Sequence, residues 1–100
     1  MKRLLVVDDD PAILDTLVDL LSETYEVEGS LDGAIALQRL GAATFDLVVL
    51  DLMMPVLDGA SLKREMDARG IRTPVIVISA TRDLAECARD LGAADFIAKP

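Results

Sequence analysis

Four apolar runs in this chain each end on a residue able to do chemistry. Leu4-Leu5-Val6-Val7 meets Asp8-Asp9-Asp10, Leu47-Val48-Val49-Leu50 meets Asp51, Val75-Ile76-Val77-Ile78 meets Ser79, and Phe96-Ile97-Ala98 meets Lys99. Crowded carboxylates disfavour one another's ionised form, so three consecutive acids after a dry run call for a compensating cation or a functional reason. The chain has no His and a single cysteine, Cys87, so the usual zinc ligand sets cannot be assembled. A metal here is expected to be hard and oxygen-liganded. Mg2+, with Mn2+ as a substitute, prefers a few carboxylate or carbonyl oxygens, keeps several waters and often shares its shell with a phosphate.

Strands and helices must bring these ends together. The short β-branched runs Leu4 to Val7, Tyr25 to Val27, Leu47 to Leu50, Val75 to Ile78 and Phe96 to Ala98 read as strands. Between them lie helical patterns. The first carries Ile13, Leu14, Leu17, Leu20 and Leu21 on one face, with Asp10 as cap before Pro11. The second runs from Asp32 to Leu40 with Gly41 past its end, the third from Asp58-Gly59 to Gly70, and the fourth places Leu84, Ala88 and Leu91 together before Gly92. Strict alternation implies an α/β fold with a parallel sheet and right-handed crossovers. In such sheets the chemistry lies beyond the carboxyl ends of the strands, where strand order reverses. The flavodoxin-like order 2-1-3-4-5, already known among doubly wound folds, would put the second strand, which ends blandly in Glu28-Gly29-Ser30, at an edge. The other four ends would converge.

Composition narrows the rest. One hundred residues make one domain, residues 1–100, able to bury about 65% of its unfolded surface. With 52% hydrophobic but only 3% aromatic residues, the core must be aliphatic. Ten basic against 18 acidic residues give a net charge of −8, and no basic block occurs, which argues against nucleic acid as a partner. The basic start Met1-Lys2-Arg3 is followed by only four apolar residues, too few for a signal peptide, and no later run approaches the ~20 needed to span a bilayer. A soluble cytoplasmic chain with no membrane partner is expected.

The chain resembles the receiver domain of two-component response regulators, on Val6-Val7-Asp8-Asp9-Asp10, Asp51-Leu52-Met53-Met54-Pro55-Val56-Leu57-Asp58-Gly59, Ile78-Ser79-Ala80 and Lys99-Pro100. The resemblance implies that Asp51 is the phosphoacceptor, receiving its phosphoryl group from a sensor histidine kinase or phosphotransfer protein. It implies that Asp8 and Asp9 hold Mg2+ together with Asp51 and the Met53 backbone carbonyl, and that Ser79 and Lys99 grip the phosphoryl oxygens. Met53 and Thr81 would tune dephosphorylation, which is expected to be slow because an apolar Met53 cannot orient water. Ser79 and Phe96 would form the switch, read by an output domain or effector over a surface including Arg82, Glu86, Arg89 and Phe96. The chemistry suits these roles, since attack on phosphorus needs charge neutralised on the nucleophile and on the equatorial oxygens. Such a protein is not a conventional enzyme; it catalyses only its own phosphorylation and slow dephosphorylation.

Each residue alone has a plainer reading. Asp10 is a cap, Asp8 and Asp9 solvated strand ends, Ser79 a small polar terminus, Lys99 a solvated lysine, Phe96 a buried ring, Cys87 and Met54 core filler. Convergence is what favours function. Two alternatives remain: an aspartate-nucleophile phosphatase using the Asp8-x-Asp10 pattern, although Pro11-Ala12 replaces the Gly-Thr such enzymes carry, and a receiver-like interaction module that is never phosphorylated. Receivers ordinarily continue past Lys-Pro, whose bond is cis in most of them, into a fifth helix beside the first. The sequence stops at Pro100, so the expectation is that either the chain is shortened or another subunit, such as a second copy in a homodimer, covers the exposed face.

Overall fold

Valine and isoleucine, stiff at χ1, pack well on a pleated surface, and their runs become the strands of the computed structural model. It describes residues 1–52, 54, 58–79 and 84–98. Strands β1 (Arg3–Val7), β2 (Glu26–Ser30), β3 (Leu47–Asp51), β4 (Val75–Ser79) and β5 (Asp95–Ala98) alternate with helices α1 (Pro11–Ser22), α2 (Gly33–Ala42), α3 (Gly59–Ala68) and α4 (Leu84–Leu91). All five strands pair in parallel in the order β2-β1-β3-β4-β5. Val7 is level with Leu50, and Asp51 with Ile78, so the chemistry-bearing ends stop side by side.

Alternation along the strands divides the core in two. Leu5, Val7, Val48, Leu50, Val75 and Val77 meet Leu37 and Leu40 of α2, Leu62 and Met66 of α3, and Leu84 and Ala88 of α4. On the opposite face Val6, Val49 and Ile78 meet Leu14 of α1, with Leu17, Val18 and Leu21 packed against them. That second face is only partly covered. An open, mainly apolar groove of about 590 Å³ runs from Leu17 and Leu21 across Val49, Ile76 and Ile78 to Ile97, which is 57% exposed.

Several boundaries differ from the sequence expectation. The second strand starts after Tyr25 and runs on to Ser30, because an edge strand needs only backbone pairing with β1, from Arg3–Glu26 to Val7–Ser30, and tolerates polar side chains. Gly41 lies inside α2 rather than beyond it; the chain leaves through Ala43 in extended conformation, with no left-handed residue needed. Leu20 is 62% exposed. At 100° per residue the buried stripe of α1 centres on Leu14, Leu21 and Val18, leaving Leu20 about 130° from its middle. Gly70 and Gly92 do end α3 and α4 as expected, both at φ 71°, with Ile71 N–H on Met66 O and Ala93 N–H on Ala88 O completing each cap.

Candidate functional site at the carboxyl ends of the strands

Three adjacent acids receive three different placements. Asp10 caps α1, its Oδ1 accepting from Ala12 N–H at 2.9 Å and Ile13 N–H at 3.4 Å. That reserves it for the helix and aims it away from the phosphatase-like pairing with Asp8. Asp8 is fully buried, its N–H donating to Ser30 O at 3.1 Å and its Oδ1 accepting from Asp10 N–H at 3.0 Å. Asp9 is exposed.

Asp51, the last residue of β3, is 1% exposed. One carboxylate oxygen from each of Asp8, Asp9 and Asp51 lies within 4.8 Å of the others. At that spacing two full charges repel by about 3.5 kcal/mol for an effective dielectric near 20, a large share of a domain's stability. Three all-oxygen donors, two withdrawn from water and one facing it, fit a small hard divalent cation that keeps part of its water shell.

Ser79 ends β4 fully buried, one residue past the register partner of Asp51 and level with Ala98. Lys99, the Lys99-Pro100 bond, Met53, Thr81 and Arg82 lie outside the described residues. Glu86 and Arg89 are exposed on α4, and Met54 is buried. Phe96 is 43% exposed, which corrects the expectation of burial: β5 is an edge strand, and the ring stands level with Val77 at the margin of the α4 layer. Cys87 is partly buried and packs against the core.

Two residues with structural consequences for this site escaped the sequence reading. Ser30, at the end of the strand judged bland, is buried; its Oγ donates to Asp32 O at 2.9 Å while its carbonyl holds the Asp8 amide. Gly59 was read only as a helix start, yet its Cα lies hard against the Asp51 main chain. A glycine placed directly after a capping acid was the available signal, since glycine has low helix propensity and such a position usually answers to a close contact. Beside it, Asp58 caps α3 by accepting from Ser61 N–H at 2.7 Å, a hydrogen bond that holds its carboxyl below the usual 3.8. Farther off, Arg39 grips Glu28 through two bonds of 2.6 and 3.0 Å, holding Glu28 below 4.5 and tying α2 to the edge strand.

The family model described as the response regulator receiver domain matches residues 4–100. Response regulator MprA of Mycolicibacterium vanbaalenii is 41% identical over 101 residues, covering 98% of this chain and 44% of that protein. Transcriptional regulatory protein CiaR of Streptococcus pneumoniae is 32% identical over 102 residues, covering the whole chain and 46% of that protein. The chain thus spans less than half the length of these relatives. Among solved structures, the receiver domain of Francisella response regulator 1452 superposes with a TM-score of 0.91 at 34% identity, covering 100% of this chain and 85% of that one. Response regulator TrrA of Thermotoga maritima, solved in complex with Mg2+ and BeF, gives 0.88 at 31% identity, covering 100% and 88%. With the strand order, the clustered acids and the match over nearly every residue in agreement, the chain belongs to the response regulator receiver domain family.

Proposed function

We propose that this receiver accepts a phosphoryl group on Asp51 from the phosphohistidine of a sensor kinase or phosphotransfer protein, in a Mg2+-dependent reaction that switches a protein-interaction surface. The observation that carries the reading is the gathering of Asp8, Asp9 and Asp51 at the switch point, with Asp51 buried at the end of β3. Asp8, Asp9, Asp51 and the Met53 carbonyl would hold the ion. Bound Mg2+ supplies positive charge against the carboxylates and the phosphoryl oxygens. An Asp51 oxygen attacks phosphorus as the P–N bond to the donor imidazole breaks, the nitrogen keeping the electron pair. The Ser79 hydroxyl and the Lys99 ammonium stabilise the equatorial oxygens.

The chain's own catalysis is confined to this transfer and to slow loss of the phosphate. Its setting is the cytoplasm, where such receivers meet their kinases; the single cysteine cannot form an internal disulfide. The switch couples Ser79 to Phe96, whose ring stands partly in solvent, with Glu86 and Arg89 on α4 as the surface read by an output domain or effector. A second copy is the proposed cover of the groove beside α1. A stable monomer in light scattering at micromolar concentration overturns that part.

The test is labelling with a small phosphodonor such as acetyl phosphate, followed by mapping of the acyl phosphate. Mg2+-dependent label on Asp51, lost in Asp51→Asn, is expected. Label on Asp8 instead supports the phosphatase reading, and absence of both label and Mg2+-dependent beryllofluoride binding supports an unphosphorylated module.

A further inference from the structure

Building on that reading of the site, we infer that Gly59 is a positioning residue for Asp51: its missing side chain lets the start of α3 rest on the Asp51 main chain and so sets where the carboxylate stands relative to Asp8 and Asp9. A methyl at Gly59 would come within 2.5 Å of Asp51 O, 2.7 Å of Leu52 Cα and 3.1 Å of Asp51 C. These are backbone atoms, held on the other side by the sheet. Asp51 is in ladder register with Ile78, and Leu52 N–H donates to Ile78 O at 3.1 Å. They cannot swing aside as a side chain would.

The seat is closed as well as tight. Gly59 N–H donates to Leu52 O at 3.2 Å, joining α3 to the residue after Asp51, while Asp58 Oδ1 fixes the first turn through Ser61 N–H. Gly59 is itself buried. A methyl at Gly41, Gly70 or Gly92 meets nothing within 4 Å, and one at Gly29 meets side-chain atoms of Val18 and Leu14 at 3.1 to 3.3 Å rather than backbone. Any side chain at position 59 must therefore lift α3 from β3 or push the Asp51 backbone along its strand. Three carboxylate oxygens confined within 4.8 Å leave little slack for either. A shift near 1 Å in a positioned group is enough to cost on the order of a hundredfold in a reaction that depends on alignment.

The test compares the wild-type chain, Gly59→Ala and Val75→Ala, the last trimming a buried residue at the opposite end of the sheet. Thermal unfolding, Mn2+ affinity and acetyl phosphate labelling are measured on each. Gly59→Ala is expected to bind Mn2+ at least tenfold more weakly and to label more slowly at saturating metal, with altered Asp51 and Leu52 amide shifts. Val75→Ala should lose thermal stability while keeping wild-type metal affinity. Equal Mn2+ affinity in Gly59→Ala and wild type overturns the inference alone; a wild-type chain that binds no divalent ion overturns both the site reading and the inference. Should Gly59→Ala not fold, hydrogen exchange on the wild type decides. Saturating Mg2+ should slow exchange of the Gly59 amide severalfold more than it slows Glu26 and Val75, which report only the general gain in stability, and a Gly59 change no larger than theirs overturns the inference.

Discussion

Asp8, Asp9 and Asp10 are chemically alike, and position alone separates their tasks. Asp10 was legible as a cap because proline follows it, and Asp8 and Asp51 as site residues because each ends a run that must be buried. What the sequence could not display was distance: the reach of Gly59 to the Asp51 carbonyl and the tie from Ser30 to the Asp8 amide exist only once the strands are side by side. The clustering yields an inverted stability effect. Asp9 is exposed, so Asp9→Asn removes one of three crowded charges at little cost in packing. Water around exposed Asp9 screens most of the repulsion that a pair withdrawn from solvent would feel. In chelator the variant's melting temperature should therefore rise by only about 2–4 °C, for roughly 0.5 kcal/mol. In excess Mg2+ it should melt below wild type, because the lost ligand weakens binding. Equal order of the two proteins in both buffers would show that the acids do not share an ion. At position 53, by the same residue-level reasoning, Met53→Asn supplies a polar group able to orient water and should speed loss of phosphate severalfold, as followed by decay of the labelled protein after donor removal.

At the level of elements, strands with continuous apolar runs were read within a residue, since burial on both faces leaves a strong pattern. The edge strand β2 was not, because its pairing with β1 is carried by backbone and its sequence, Glu-Val-Glu-Gly-Ser, shows no apolar run. The face of α1 was read correctly at Leu14, Leu17 and Leu21 but with its centre displaced, as Val18 rather than Leu20 stands at the sheet. α3 offers the clearest test of an element's contribution. Its cap, Asp58, is ionised in the native state below the ordinary 3.8, so its stabilisation is fully present above that value and is lost as pH falls through the lower native one. Asp58→Ala should cost about 1 kcal/mol at pH 7, within the range for such caps. The difference from wild type should shrink steadily below pH 3.8 in denaturant titrations, whereas a constant difference would mean that the carboxylate's charge plays no part.

For the molecule as a whole, the order β2-β1-β3-β4-β5 is what turns scattered residues into one site; alternation of strand and helix made parallel pairing legible, but other doubly wound orders share that alternation. The α1 face carries an open apolar groove, and domains of this size are stable by only about 5–15 kcal/mol. A ligand that binds only the folded arrangement of Asp8, Asp9 and Asp51 should therefore have a large effect on the entire fold. By mass action, Mg2+ at ten times its dissociation constant adds RT ln 11, about 1.4 kcal/mol, which for a domain of this size raises the melting temperature by roughly 6–11 °C. The gain should fall on acidification, because protons compete with the metal for the same carboxylate oxygens. It should also be reduced in Asp9→Asn and nearly absent in an Asp8→Asn/Asp51→Asn pair. Sodium at equal ionic strength separates site occupancy from general screening of the net charge of −8. An identical rise with sodium would mean that the added cations merely screen the acidic surface and that the three strand-end carboxylates hold no ion between them.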